Sequence, residues 1–224
     1  MPIWIPILII FGVVALGTVV ALNWDDLVIN LKGKKLAVLG EREVGKTHLC
    51  QFLSTGTIPD KYEQTLDPEP VGNRRFKLQD LDLKIKKTKD VAGDKVAYGE
   101  WKKLFDEADV VLYLFRADKI ILGDKRTEER IRDDMRHIGQ WLDTRSKRPH
   151  FFLIGTHCDL DPKFKHLTAD NLGTYRDDIL QKMIIIEAVL MAGGSKNVKV
   201  LIDSMKSIEW TERLVFNIFK QIVD

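Results

Sequence analysis

Residues 40–47 read Gly40-Glu41-Arg42-Glu43-Val44-Gly45-Lys46-Thr47, the pattern G-x-x-x-x-G-K-T. A loop of this kind wraps an anion with its backbone N–H groups; the lysine reaches the outer phosphates of a nucleotide, and the Thr47 hydroxyl is placed to ligate Mg²⁺. That chemistry needs a strand before the loop and a helix after it. The apolar run Leu36-Ala37-Val38-Leu39 supplies the strand. The segment from Lys46 to about Leu53, with His48 in its first turn, supplies the helix, whose N-terminal dipole favours negative charge. A glycine-rich turn matching by chance is the alternative, and both flanks argue against it.

The elements that must hold this loop can be traced along the chain. A strand is expected at 35–39 and a strand pair at 74–78 and 83–88, where apolar and charged residues alternate. Near-continuous apolar runs at 110–115 and 151–154 read as buried parallel strands, and 198–202 as the last strand. Helical spacing appears at Ile131, Met135, Ile138 and Leu142, at Ile179, Met183, Ile186 and Leu190, and at Trp210, Leu214, Ile218 and Ile222. These stripes read as core faces. Strands alternating with helices predict an α/β domain over 35–224: a mostly parallel six-stranded sheet with helices on both faces. The stretch 54–72 is rich in Thr, Pro and Asp and reads as a long loop, a length usually reserved for function.

Composition narrows the partners. The chain of 224 residues carries 35 basic and 33 acidic side chains, so no strong field for a polyanion follows, and nucleic acid is not expected as a partner. The two cysteines, Cys50 and Cys158, do not read as a disulfide framework.

Residues 3–22 contain no charged side chain, enough helix for about 30 Å of hydrocarbon. Trp4 and Trp24 bracket the segment. Lys32, Lys34 and Lys35 on its C-terminal side place the rest of the chain on the cytoplasmic side by the basic-residue rule. The expectation is therefore a single-pass membrane protein: a transmembrane helix at 1–22, a linker at 23–34, and the domain in the cytoplasm. A signal peptide and a buried core helix are the alternatives. The first lacks a basic n-region; all-round apolarity disfavours the second.

Further motifs follow the phosphate loop in order. Asp90-Val91-Ala92-Gly93 reads D-x-x-G, 44 residues after Lys46. Thr156-His157-Cys158-Asp159 follows the strand at 151–154, and Ser204-Met205-Lys206 follows the last strand. In this arrangement the chain resembles the Ras-like small GTPases over about 35–224, a P-loop G domain. The resemblance implies GTP or GDP with Mg²⁺ as ligands. It implies that Asp90 holds Mg²⁺ through a water and that the Gly93 N–H bonds the γ-phosphate. Asp159 would accept hydrogen bonds from the guanine N1–H and 2-amino group, a donor pair adenine lacks, within the T-H-C-D counterpart of the family's N/T-K-x-D. Ser204, Met205 and Lys206 stand at the family's S-A-K loop, whose backbone supports guanine O6. Thr65, 19 residues after Lys46, stands at the switch threonine that ligates Mg²⁺ with the γ-phosphate, with Thr57 in reserve.

Four departures stand out. In the phosphate loop, Glu41, Arg42 and Glu43 replace residues that are frequently small in the family, and Arg42 either obstructs the site or supplies positive charge in cis. His157 replaces the usual Lys and Met205 the usual Ala. Asp94 stands where the family orients the attacking water with Gln or His, and a carboxylate there predicts slow hydrolysis, with Lys46, Thr65 and Asp94 as the catalytic set. Metal ligation by His157 and Cys158 with His166 is the competing use of those side chains, but no four-ligand spacing is present. Two accounts remain open. One is a nucleotide-dependent switch read by a protein partner, in a layout similar to the membrane-bound signal recognition particle receptor β-subunits. The other is a non-hydrolysing GTP-binding scaffold. A nucleotide kinase is a distant third, since no Arg-rich lid is apparent.

Overall fold

The computed structural model describes residues 33–58, 84–87, 94–167 and 169–223. Five strands form one sheet: β1 (Lys35–Gly40), β2 (Lys84–Lys87), β3 (Val110–Arg116), β4 (His150–Thr156) and β5 (Val198–Ile202). Their order is β2-β1-β3-β4-β5, and every pairing is parallel. Seven helices accompany them: α1 (Lys46–Thr55), α2 (Asp94–Glu107), α3 (Ala117–Ile121), α4 (Lys125–Thr144), α5 (Ala169–Leu180), α6 (Met183–Met191) and α7 (Ile208–Val223).

The central strands are apolar throughout because both of their faces are covered. Their two-residue period divides them between two cores. Ala37, Leu39, Val111, Tyr113, Phe115, Phe151 and Leu153 pack on one face with Trp101 and Phe105 of α2 and the buried stripes of α4, α5 and α6. Leu36, Val38, Val110, Leu112, Leu114, Phe152 and Ile154 pack on the other, against α1 and α7. The strand order reverses between β1 and β3, so the crevice at the carboxyl ends of these strands is the topological place for a ligand. The phosphate-loop sequence leaves β1 at that point.

The six-stranded expectation is corrected to five strands among the described residues. β2 pairs with β1 from Lys35 opposite Lys84 to Val38 opposite Lys87; its expected partner at 74–78 lies outside the described residues. The helix read across 179–190 is two helices. Lys182 adopts an extended conformation before α6, and the three successive isoleucines at 184–186 fit more than one helical phase. Ile184 and Ile185 are buried, whereas Met183 and Leu190, taken from sequence as core, are 68% and 54% exposed.

The single-pass membrane placement is also overturned. No helix among the described residues is long and apolar enough to cross a membrane. The most apolar of them, α6, has nine residues and packs into the core. The segment 1–22 on which the transmembrane helix was expected lies outside the described residues, as does the linker up to residue 32.

One buried polar cluster joins three elements. Asp134 of α4, 0% exposed, accepts hydrogen bonds from Tyr98 of α2 at 2.7 Å and Tyr113 of β3 at 2.8 Å. Arg130 Nε donates to the same carboxylate at 3.0 Å, and its guanidinium lies over the Tyr98 and Trp101 rings. A buried charge is tolerable only with this degree of pairing. Asp134→Ala is expected to destabilise the fold by about 3–5 kcal/mol. Tyr113→Phe, which removes one hydrogen bond to a charged group, is expected to cost about 1.5–3 kcal/mol. Urea unfolding measures both, and an unchanged midpoint for Asp134→Ala would refute the structural role given to the cluster.

Candidate functional site

The loop after β1 is shaped by its left-handed residues. Gly40 has φ 135° and Gly45 φ 92°. A Cβ on Gly40 would collide with the Leu114 carbonyl, so close approach as well as backbone angle selects glycine there; at Gly45 the neighbour is the movable end of Met205, and the positive φ is what selects glycine. Glu43 also lies in the left-handed region, with φ 61°, a conformation costing roughly 1–2 kcal/mol for a residue with a Cβ. Gly45 caps α1 without a side-chain hydrogen bond, and the first turn carries no acidic residue. The N–H groups there remain available to an anion.

Lys46 is nearly buried. Its ammonium donates to the Gly40 carbonyl at 3.0 Å and the Glu41 carbonyl at 2.5 Å, spanning its own loop. Thr47 is exposed beside it.

A cavity of about 550 Å³ opens from this loop, within the range usual for small-molecule sites. Its wall combines Glu43, Gly45, Lys46, Thr47 and His48 with His157, Asp159 and Leu160 after β4, Met205 and Lys206 after β5, and Arg116 at the end of β3. Three motifs separated in sequence thus meet in one pocket. Gly40, Glu41, Val44, Thr156 and Ser204 support it from behind, and Arg42 is exposed outside it. Thr65, Asp90 and Gly93 lie outside the described residues. Asp94 is the first residue of α2.

Asp159 is held in place: Ser204 Oγ donates to its Oδ1 at 2.7 Å and accepts the Lys206 N–H at 3.0 Å. Asp159 itself lies on the cavity wall. Thr156, 0% exposed, joins the two ends of the site. Its hydroxyl lies 3.0 Å from the Val44 carbonyl of the phosphate loop and 3.1 Å from the Phe115 carbonyl of β3. The same oxygen is 2.8 Å from His157 Nδ1. A hydroxyl has one proton, so the direction of the Thr156–His157 bond is set by the imidazole tautomer. Burial, then the nearby Arg116 charge, holds the His157 imidazole below its ordinary pKa.

Sequence reasoning missed two features. Arg116 pairs with Asp118 through Nε at 2.7 Å and Nη2 at 2.5 Å. Asp203, 2% exposed, anchors the loop after β5: Arg176 Nη2 donates to it at 2.8 Å and Arg213 Nη2 at 2.6 Å, and its Oδ1 accepts the Ser204 N–H. Cys158 donates its thiol to the Asp203 carbonyl, and among the described residues no His, Cys, Asp and Glu side chains group as a metal cluster. The arginine on the wall had no local signal. The run Asp203-Ser204 after a predicted strand was the one available hint of the buried anchor.

No protein-family model and no curated protein matches the sequence. Among solved structures, the chain is similar to an ADP-ribosylation factor-like GTP-binding protein, the small COPII coat GTPase SAR1, of Encephalitozoon cuniculi in complex with GDP. That similarity has 16% identity, covers 90% of this chain and 89% of the other, and has a TM-score of 0.44.

Two outcomes follow from the hydrogen bonds and burial at the site. Thr156→Val removes the one hydroxyl proton that lies between the Val44 and Phe115 carbonyls and is expected to lower stability by about 1–3 kcal/mol in urea unfolding; an unchanged midpoint would show that the tie does not hold the loops. The second concerns pH. Burial holds His48, His150 and His157 below the ordinary value of 6.5. The unfolded chain therefore takes up protons at a higher pH than the folded one does. Stability present above 6.5 is lost as pH falls through that value toward the folded pKa values. The urea midpoint is expected to drop between about pH 7.5 and about pH 5.5, and a rise on acidification would contradict the assignment of neutral imidazoles.

Proposed function

We propose that this chain binds guanine nucleotides, GTP and GDP, with Mg²⁺ in the cavity, and acts as a nucleotide-dependent switch toward a protein partner, hydrolysing GTP slowly on its own. One observation carries the reading. A phosphate-type loop and a fixed carboxylate form opposite parts of a single pocket, and Thr156 ties their loops together.

The phosphate loop and the α1 N-terminus bind the phosphate tail. Lys46 has three N–H donors, so it can keep a loop carbonyl and still turn a proton toward a phosphate oxygen. Asp159 accepts from the base. With Ser204 holding Oδ1, the carboxylate cannot swing away, which favours a donor-donor edge such as guanine N1–H and the 2-amino group. Thr47 offers a hard oxygen beside Lys46, the donor type Mg²⁺ prefers when phosphates complete its shell. Thr65 and Asp90 are proposed as its further ligands. The ion, when bound, neutralises charge on the outer phosphates.

Slow hydrolysis rests on Asp94. A carboxylate near the γ-phosphate is repelled and orients water less well than a neutral amide. The same residue favours the rival reading of a non-hydrolysing GTP-binding scaffold.

The test is equilibrium binding of GTP, GDP and ATP to the full chain with and without Mg²⁺, followed by phosphate release over many turnovers. Guanine nucleotides are expected to bind and ATP is not. Asp159→Asn is expected to weaken GDP binding about 100-fold or more. ATP binding as tight as GTP, or indifference to Asp159→Asn, would sink the guanine reading. A partner-free rate of about 1 s⁻¹ or more would remove the slow-hydrolysis element. Release no faster than that of Lys46→Ala would leave the scaffold.

A further inference from the structure

The cavity has an unusual charge arrangement for a site facing a polyanion. Glu43 and Asp159 put carboxylates on its wall. Lys46 is engaged with its own loop, and Lys206 is exposed on a long, mobile stem. His157 lies on the wall, with Nδ1 hydrogen-bonded to Thr156. A neutral imidazole supplies no fixed charge.

Arg116 supplies one. It ends β3, in register with Thr156 of β4, and this places it beside the turn that carries His157. Asp118, 6% exposed, grips it through two parallel hydrogen bonds, which fix the plane of the guanidinium. The grip uses Nε and one proton of Nη2. Nη1 has no partner among the described residues, and the side chain is 20% exposed on the cavity wall. The head group is therefore held in one place with donors to spare, the condition for recognising an anion at low entropic cost.

We propose that Arg116 is a nucleotide-binding residue of this pocket, the fixed cation that meets the anionic part of the bound nucleotide, with Asp118 as its positioning residue. The assignment rests on the guanine-nucleotide reading above. It makes Arg116 and His157 a functional pair: one wall carries a charged guanidinium and a neutral imidazole, and a cation at either position would serve the ligand.

GDP affinity would be measured for the full-length wild type, Arg116→Gln, Arg116→Lys and Arg116→Gln/His157→Lys at about 50 and about 500 mM NaCl, since a charge contact is screened by salt. Arg116→Gln is expected to lose about tenfold or more in affinity and to show a weaker salt dependence than wild type. Arg116→Lys is expected to keep an intermediate affinity. His157→Lys in the Arg116→Gln background is expected to restore most of the loss and the salt dependence, which a purely structural role for Arg116 would not allow. If Arg116→Gln fails to fold, the decision passes to Asp118→Asn, which keeps the charge but loosens its grip. A few-fold loss of GDP affinity there supports the proposal, and none overturns it. Wild-type binding with unchanged affinity and salt dependence in Arg116→Gln overturns this inference alone. No GDP binding by the wild type overturns the guanine-nucleotide reading and this inference with it.

Discussion

The Thr156 hydroxyl is the contact on which the site depends. It reaches the phosphate loop at Val44 across a sequence separation of 112 residues, and β3 at Phe115 across 41. A parallel sheet delivers loops to one edge but does not set the spacing between them. Three loops leave β1, β3 and β4 side by side, and one buried oxygen fixes their relative positions. A side chain serving two carbonyls and an imidazole must be small, hydroxylated and buried, which restricts this position to Thr or Ser.

A second, ionic support lies behind it. Asp203, the first residue after β5, lies between Arg176 of α5 and Arg213 of α7, helices on opposite sides of the sheet. Arg213 also stacks over Trp210, 4.0 Å from its ring centre. A paired, buried carboxylate is costly to break once formed. The loop bearing Ser204 is thus clamped from both layers, and Ser204 passes that rigidity to Asp159. The Asp159 carboxylate on the cavity wall is thus fixed through residues that are not on that wall.

The part of this arrangement legible from sequence was the part written contiguously. Gly40 to Thr47, Thr156 to Asp159 and Ser204 to Lys206 each carry their chemistry in neighbouring residues, and the hydrophobic period placed the strands before them. Asp203 takes its arginines from two distant helices, Asp134 its two tyrosines from α2 and β3, and Arg116, though paired with nearby Asp118, reaches the cavity wall only through the fold; no local pattern marks such placements. Alternation marked the strand at 84–87, and the fold sets its pairing with β1; its expected partner at 74–78 lies outside the described residues. The helix break at Lys182 was hidden by isoleucines that satisfy two helical phases. Residues 3–22 show the limit of hydropathy: an uncharged run of sufficient length licenses a spanning helix without requiring one.

The cluster around Asp134 also limits how the molecule can move. Tyr98 enters it one turn after the start of α2, and Trp101 and Phe105 follow on the same helix into the core. To rotate or slide as a rod, α2 would have to withdraw a phenol from a buried carboxylate and two aromatic rings from the sheet. The helix is therefore a post fixed at its middle and far end, and the outer surface of α2 beyond Tyr98 presents one constant face.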